Sequence, residues 1–168
     1  GRLYEGRENV ASVQHNLGAL YKTLHDYANS EKYYKLSLEN REQLLEQNPD
    51  MYRANLAMSQ NSLGTLYNTL HDYKNSEKYH KLALENYEQL YKENPDAFRY
   101  SIAVTQDNLG VLYREKDDYE NSEKYFEDKY PSEMTIVALE LSACSDAFFA
   151  LSSVQFPTKI FFSEKPAL

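Results

Sequence analysis

At 168 residues, with 42% hydrophobic side chains, the chain is long enough to bury a domain-sized core without covalent staples. Its formal net charge of -8 and its lack of a basic stripe exclude a nucleic-acid binder, which needs clustered Lys and Arg to meet phosphates. A single cysteine, Cys144, excludes an internal disulfide and fits a reducing, cytoplasmic compartment.

The chain opens on Gly1 rather than Met and reads as a piece of a longer protein. Val10, Val13, Leu17, Leu20, Tyr21 and Leu24 recur at steps of three and four, which predicts a first helix over Leu3 to Leu24 with these side chains on one face. His25-Asp26-Tyr27 ends that helix, and Asn29 or Ser30 is expected to cap a second one running to about Gln47. The second helix carries Tyr34, Ser37, Leu38, Arg41, Leu44 and Leu45 on its inner face. Asn48-Pro49-Asp50 then starts a new helix. Proline lacks only an N–H that a first helical position leaves unpaired, asparagine before it can cap, and Asp50 suits the positive end of the helix dipole.

The pattern then returns. Asn61 to Asp96 is a near-copy of His15 to Asp50, and Asn108 to Phe126 begins a third copy. Gly18, Gly64 and Gly110 fall 46 residues apart, as do Asn48-Pro49 and Asn94-Pro95. A fixed period of this size predicts a solenoid in which one helix–turn–helix unit stacks on the next. The units are expected at residues 1–48, 49–94 and 95–130. Glycine inside a helix costs about 1 kcal/mol against alanine, so its recurrence at one position predicts a close approach of the partner helix.

Pro131 breaks the third copy, and its second helix is expected to end near Tyr130. Residues 131–168 form a non-repeat tail: all 16 tyrosines lie at or before Tyr130, whereas five of the seven phenylalanines lie after it. The tail is expected to be either a cap helix over 132–155 or a segment foreign to the fold. Glu140 and Asp146 within it argue against a membrane span.

No catalytic constellation is present. His15, His25, His71 and His80 offer no pair at the spacing a zinc helix needs, and Asp26, Asp72, Asp117 and Asp118 sit in turns, where aspartate is ordinary. No glycine-rich phosphate loop or nucleophile elbow occurs. The expectation is a protein that is not an enzyme and takes no metal or cofactor.

Leu-Gly-x-x-Tyr begins at Leu17, Leu63 and Leu109, a small residue follows each glycine by twelve places at Ser30, Ser76 and Ser122, and an aromatic lies four further on at Tyr34 and Phe126. Together these resemble the tetratricopeptide repeat. The period is longer than the family's usual one of about 34 residues, as in the extended-helix variety of kinesin light chain-type and bacterial arrays. Gln14, Gln60 and Gln106 stand where the family usually has tryptophan. The resemblance implies an all-α fold, a right-handed helical-hairpin solenoid of about three repeats with an atypical C-terminal segment. It also implies a concave groove, lined by the first helices, that binds a protein or peptide partner. Counting from each leucine places His15, Asn16 and Lys22 in that groove from the first unit. The second unit contributes Met58, Asn61, Thr65 and Asn68, and the third Asp107, Asn108, Val111 and Arg114. The alternatives are an architectural spacer, weakly self-associating through its terminal repeat, and a regulatory sensor region for an attached enzyme.

Overall fold

The computed structural model describes residues 2–127, and within them the chain is a row of α-helices joined by very short turns. The first unit is α1 (Arg2–Thr23) and α2 (Tyr27–Gln47), the second α3 (Pro49–Thr69) and α4 (Tyr73–Glu93), the third α5 (Pro95–Glu115) and α6 (Tyr119–Glu127). No strand occurs among the described residues. The architecture is an all-α solenoid of helical hairpins. The expected end near Tyr130 and both readings of the tail lie outside the described residues.

The turn within each unit is built the same way three times. His25, His71 and Asp117 adopt left-handed backbone, with φ of 58°, 57° and 58°. Around His25, the Asp26 N–H reaches back to the Tyr21 carbonyl at 2.9 Å and the His25 N–H to Lys22 at 3.0 Å. This pair of bonds satisfies carbonyls that a helix end otherwise leaves open. Histidine and aspartate tolerate the left-handed site less well than glycine, and each is tethered two residues on: His25 to the Tyr27 hydroxyl at 2.9 Å, His71 to Tyr73 at 3.0 Å, Asp117 to Tyr119 at 3.1 Å. The turn histidines are therefore structural.

The expected cap of α2 is corrected. Asp26, not Asn29 or Ser30, is the N-cap: its carboxylate accepts the Asn29 N–H at 3.2 Å and the Asn29 side-chain amide at 2.7 Å. Asp72 and Asp118 repeat the arrangement. Ser30 is instead buried inside the first turn, where its hydroxyl donates to the Gly18 carbonyl at 2.8 Å. Between units, Asn48 and Asn94 cap α3 and α5 in front of Pro49 and Pro95.

The helical glycines mark where a ring from the second helix lies on the first. A Cβ built on Gly18 would stand 2.6 Å from the Tyr34 ring, one on Gly64 2.7 Å from His80, and one on Gly110 2.6 Å from Phe126. Gly6 is the opposite case, with nothing within 4 Å. These two environments give opposite signs to the same substitution. Gly6→Ala is expected to raise stability by about 0.5–1 kcal/mol through reduced chain entropy. In Gly64→Ala that gain is outweighed by overpacking of about 1–3 kcal/mol, and thermal melts should show a lower midpoint. An equal rise in both variants would discard the ring-contact account.

Apolar seams run between successive helices. Leu56, Leu63, Leu66 and Tyr67 of α3 close against Tyr34 and Leu38 of α2. One unit on, Ile102, Leu109, Leu112 and Tyr113 of α5 close against Ala83, Leu84, Tyr87 and Leu90 of α4. Within each unit a tyrosine pair stacks: Tyr21 on Tyr33, Tyr67 on Tyr79 and Tyr113 on Tyr125, with ring centroids 5.4, 5.6 and 5.5 Å apart. The corresponding face of α1 departs from expectation. Val10, Val13 and Leu20 are 50%, 59% and 52% exposed, because among the described residues no helix lies over them; Leu24 is 63% exposed at a position where Leu70 also stays exposed, at 38%.

Candidate functional site

The 46-residue period sets equivalent positions of α1, α3 and α5 in register. His15, Asn61 and Asp107 form one row, Lys22, Asn68 and Arg114 a second, and Asn16, Ser62 and Asn108 a third. Asn61 joins two of these rows. Its side-chain oxygen accepts from the Asn108 amide at 3.2 Å and lies 2.7 Å from His80 Nδ1. The contact to His80 is a hydrogen bond in the tautomer that carries its proton on Nδ1.

His80 is 1% exposed. Burial, helped by the charge of Lys22, pushes its pKa down to about 4, so the ring is neutral at neutral pH. His15 is half-buried against the Tyr34 ring at 5.2 Å, and burial together with Arg41 also brings it to about 4. Its Nδ1 is enclosed without a partner. Burial lowers the pKa of Lys22 as well. Asp107 is solvent-accessible, yet desolvation by the surrounding helices raises its pKa against the pull of Arg114.

The remaining expected positions divide by exposure. Asn16 and Met58 are exposed, Met58 at 39%. Thr65, Val111 and Arg114 are half-buried, and the Thr65 hydroxyl turns back to the Asn61 carbonyl at 3.0 Å. Asn68 is half-buried, and its side-chain oxygen is enclosed and without a hydrogen-bond partner. A buried amide oxygen in that state is costly unless something supplies an N–H or O–H.

His80 was missing from the expected set. Its signal was available, since it stands where the other units carry Tyr34 and Phe126, and a polar ring at an aromatic position is the exception in the pattern. The rows offer amide, imidazole and cationic groups to a ligand but no nucleophile paired with a base. Among the described residues no group of His, Cys, Asp and Glu could hold a metal ion, and no helix is long and apolar enough to cross a membrane.

Fold and rows together define a helical-repeat protein whose first helices bring polar side chains into register. The chain belongs to the tetratricopeptide repeat family, whose model matches residues 9–89 and 52–128. Its proteins generally mediate protein–protein interaction and are typically non-enzymatic scaffolds. Among solved structures, the chain is similar to the crystal structure of BtubC (BKLC) from P. vanneervenii, at 22% identity and a TM-score of 0.62. The match covers 96% of this chain and 56% of that one, so this chain spans little more than half of its length. At that identity the likeness concerns the fold. Nothing matches among curated proteins.

Proposed function

We propose that the chain is a protein-interaction module holding a partner segment along the first helices α1, α3 and α5, without chemistry. The observation that carries this reading is Asn68: its amide oxygen is enclosed and unpartnered, at the middle of the row between Lys22 and Arg114. A backbone N–H from a docked segment satisfies it once the side chain turns out of its enclosure. Lys22 and Arg114 on either side favour an acidic side chain in the same segment. Asn61 is held by Asn108 and His80, so its contribution is a pre-set geometry rather than a free side chain.

The test is selection of binding peptides from a random library on the full chain, followed by titration of the enriched peptide. Asn68→Ala is expected to weaken binding by roughly tenfold, the scale of one hydrogen bond to a buried group. Asn61→Ala, Asn68→Ala and Asn108→Ala combined should abolish it while circular dichroism still shows a folded helical protein. A selected peptide that binds the triple variant as tightly as the native chain would place recognition elsewhere.

A further inference from the structure

The two ends of the described solenoid carry the two halves of an interface that the chain already makes twice within itself. On the first-helix side, Leu56, Leu63 and Leu66 of α3 are 4%, 0% and 0% exposed beneath α2, and Ile102, Leu109 and Leu112 of α5 are 9%, 0% and 0% exposed beneath α4. The α1 equivalents Val10 and Leu20 are 50% and 52% exposed, with Leu24 beside them at 63%. On the second-helix side, Tyr27 of α2 and Tyr73 of α4 pack half-buried against the next unit. Their α6 equivalent, Tyr119, is 64% exposed.

A polar contact repeats in the same way. The Tyr67 hydroxyl donates to Glu31 of the preceding unit at 2.7 Å, and the Tyr113 hydroxyl donates to Glu77 at 2.8 Å. By the 46-residue register the next members of this series are the Tyr21 hydroxyl at one end and the Glu123 carboxylate at the other. Tyr21 makes no such bond, and Glu123 is exposed.

We propose that a second copy of this chain seats its α6 on α1 of the first, head to tail. Glu123 of one copy then receives the Tyr21 hydroxyl of the other, and Tyr119 covers Leu20 and Leu24. The occupant is a copy of this chain because α6 carries both the tyrosine and the acid that the internal seams use, in their register. In this register the described residues of α6 lie opposite the C-terminal half of α1. The contact depends on concentration. It is also heterologous: the pair still carries one unused α1 face and one unused α6 face, so association does not stop at two.

Sedimentation velocity on the full chain, from micromolar to millimolar, reads this directly. The native chain is expected to gain weight-average mass continuously with concentration. Leu20→Glu blocks the α1 face and Glu123→Arg blocks the α6 face; both side chains are exposed, so neither change should disturb folding, which a thermal melt verifies. Each variant alone is expected to remain at the monomer mass of 19.6 kDa. Mixed, they should form a species of twice that mass and no larger, because one keeps a working α6 and the other a working α1. A native chain that stays monomeric throughout would overturn the proposal. So would association abolished by Leu20→Glu but untouched by Glu123→Arg, which would mean that α1 pairs with itself.

Discussion

Replacing Arg41 with methionine is expected to lower the free energy of unfolding by about 3–5 kcal/mol, the scale found when one member of a buried ion pair is removed. Arg41 is 1% exposed and ties three helices together. Its guanidinium donates to the Asn55 carbonyl at 3.0 Å and the Ser59 hydroxyl at 2.8 Å on α3, and to Glu8 on α1 at 3.1 Å. Methionine fills most of the volume but leaves the Glu8 carboxylate without its counter-charge. Glu8 keeps the Ser12 hydroxyl and the Asn55 amide as donors, while its second oxygen is already enclosed without a partner. A large loss is therefore expected from the charge, not from the cavity.

The neighbouring seam shows that the fold does not require that charge. One unit on, Tyr87 stands in place of Arg41 and Ala54 in place of Glu8, and Tyr87 is buried at 7% within an apolar cluster. Arg41→Tyr combined with Glu8→Ala is thus expected to recover most of the loss, making the pair strongly non-additive. Urea denaturation followed by circular dichroism checks both statements. A loss below about 1 kcal/mol for Arg41→Met would mean that water reaches Glu8 and the pair behaves as an exposed one.

The second large effect is a loss of stability on mild acidification. The His80 pKa is about 4 in the folded protein, against 6.5 for the free side chain. At pH above 6.5 both states are neutral and nothing is lost. As pH falls below that value the unfolded chain takes up a proton that the folded ring refuses, so stability declines until about pH 4 and then levels off. Fully developed, the difference corresponds to roughly 3 kcal/mol, with about 2 kcal/mol already lost by about pH 5. His15 is shifted to about 4 as well and adds to the decline over the same interval.

The hydrogen-bonded carboxylate Glu77 acts lower. Glu77 is raised by desolvation, but hydrogen bonds from Lys81, Lys116 and Tyr113 prevail and bring it to about 2, so its contribution falls away only below its ordinary value of 4.5. The upper part of the acid range thus separates the histidines from Glu77, while Asp107 and Glu42, both raised by desolvation, act in the opposite sense. His80→Phe copies the arrangement of Phe126 over Gly110 and is expected to make that part of the profile shallower, leaving the share of His15, although Asn61 loses one of its two partners. Chemical denaturation from pH 7.5 to 5 measures it; equal slopes for native and His80→Phe protein would remove His80 as the cause.

Much of the fold could be read from local signals. The helix starts at Pro49 and Pro95 follow from an asparagine that can cap and a proline that tolerates the first position. The cap of α2 was misplaced because Asp26, Asn29 and Ser30 are all competent caps within five residues. Asp72 caps α4 even though the Ser76 hydroxyl is buried without a partner, so the burial of this serine on the first helix, not a particular bond, removes it from the choice. The candidate site was legible as a set of positions, since periodicity alone brings His15, Asn61 and Asp107 into one row. Which of them has a hydrogen-bonding neighbour and which is enclosed without one was not legible. Asn61 is engaged and Asn68 is not, and the difference is made by His80 on α4 and Asn108 on α5.

The amino-acid sequence by itself determined the helical class, the repeat and its period, and the capped starts of α3 and α5. These depend on composition and on residues a few places apart along one chain. The tertiary structure alone decided the ring on each glycine, the buried Arg41 between three helices, the neutral histidines, and the exposed face of α1. Each of those rests on what a separate helix brings within about 4 Å, the range over which side chains touch. Val10 and Leu56 occupy the same place in the pattern, and only the presence of α2 above one of them makes it core.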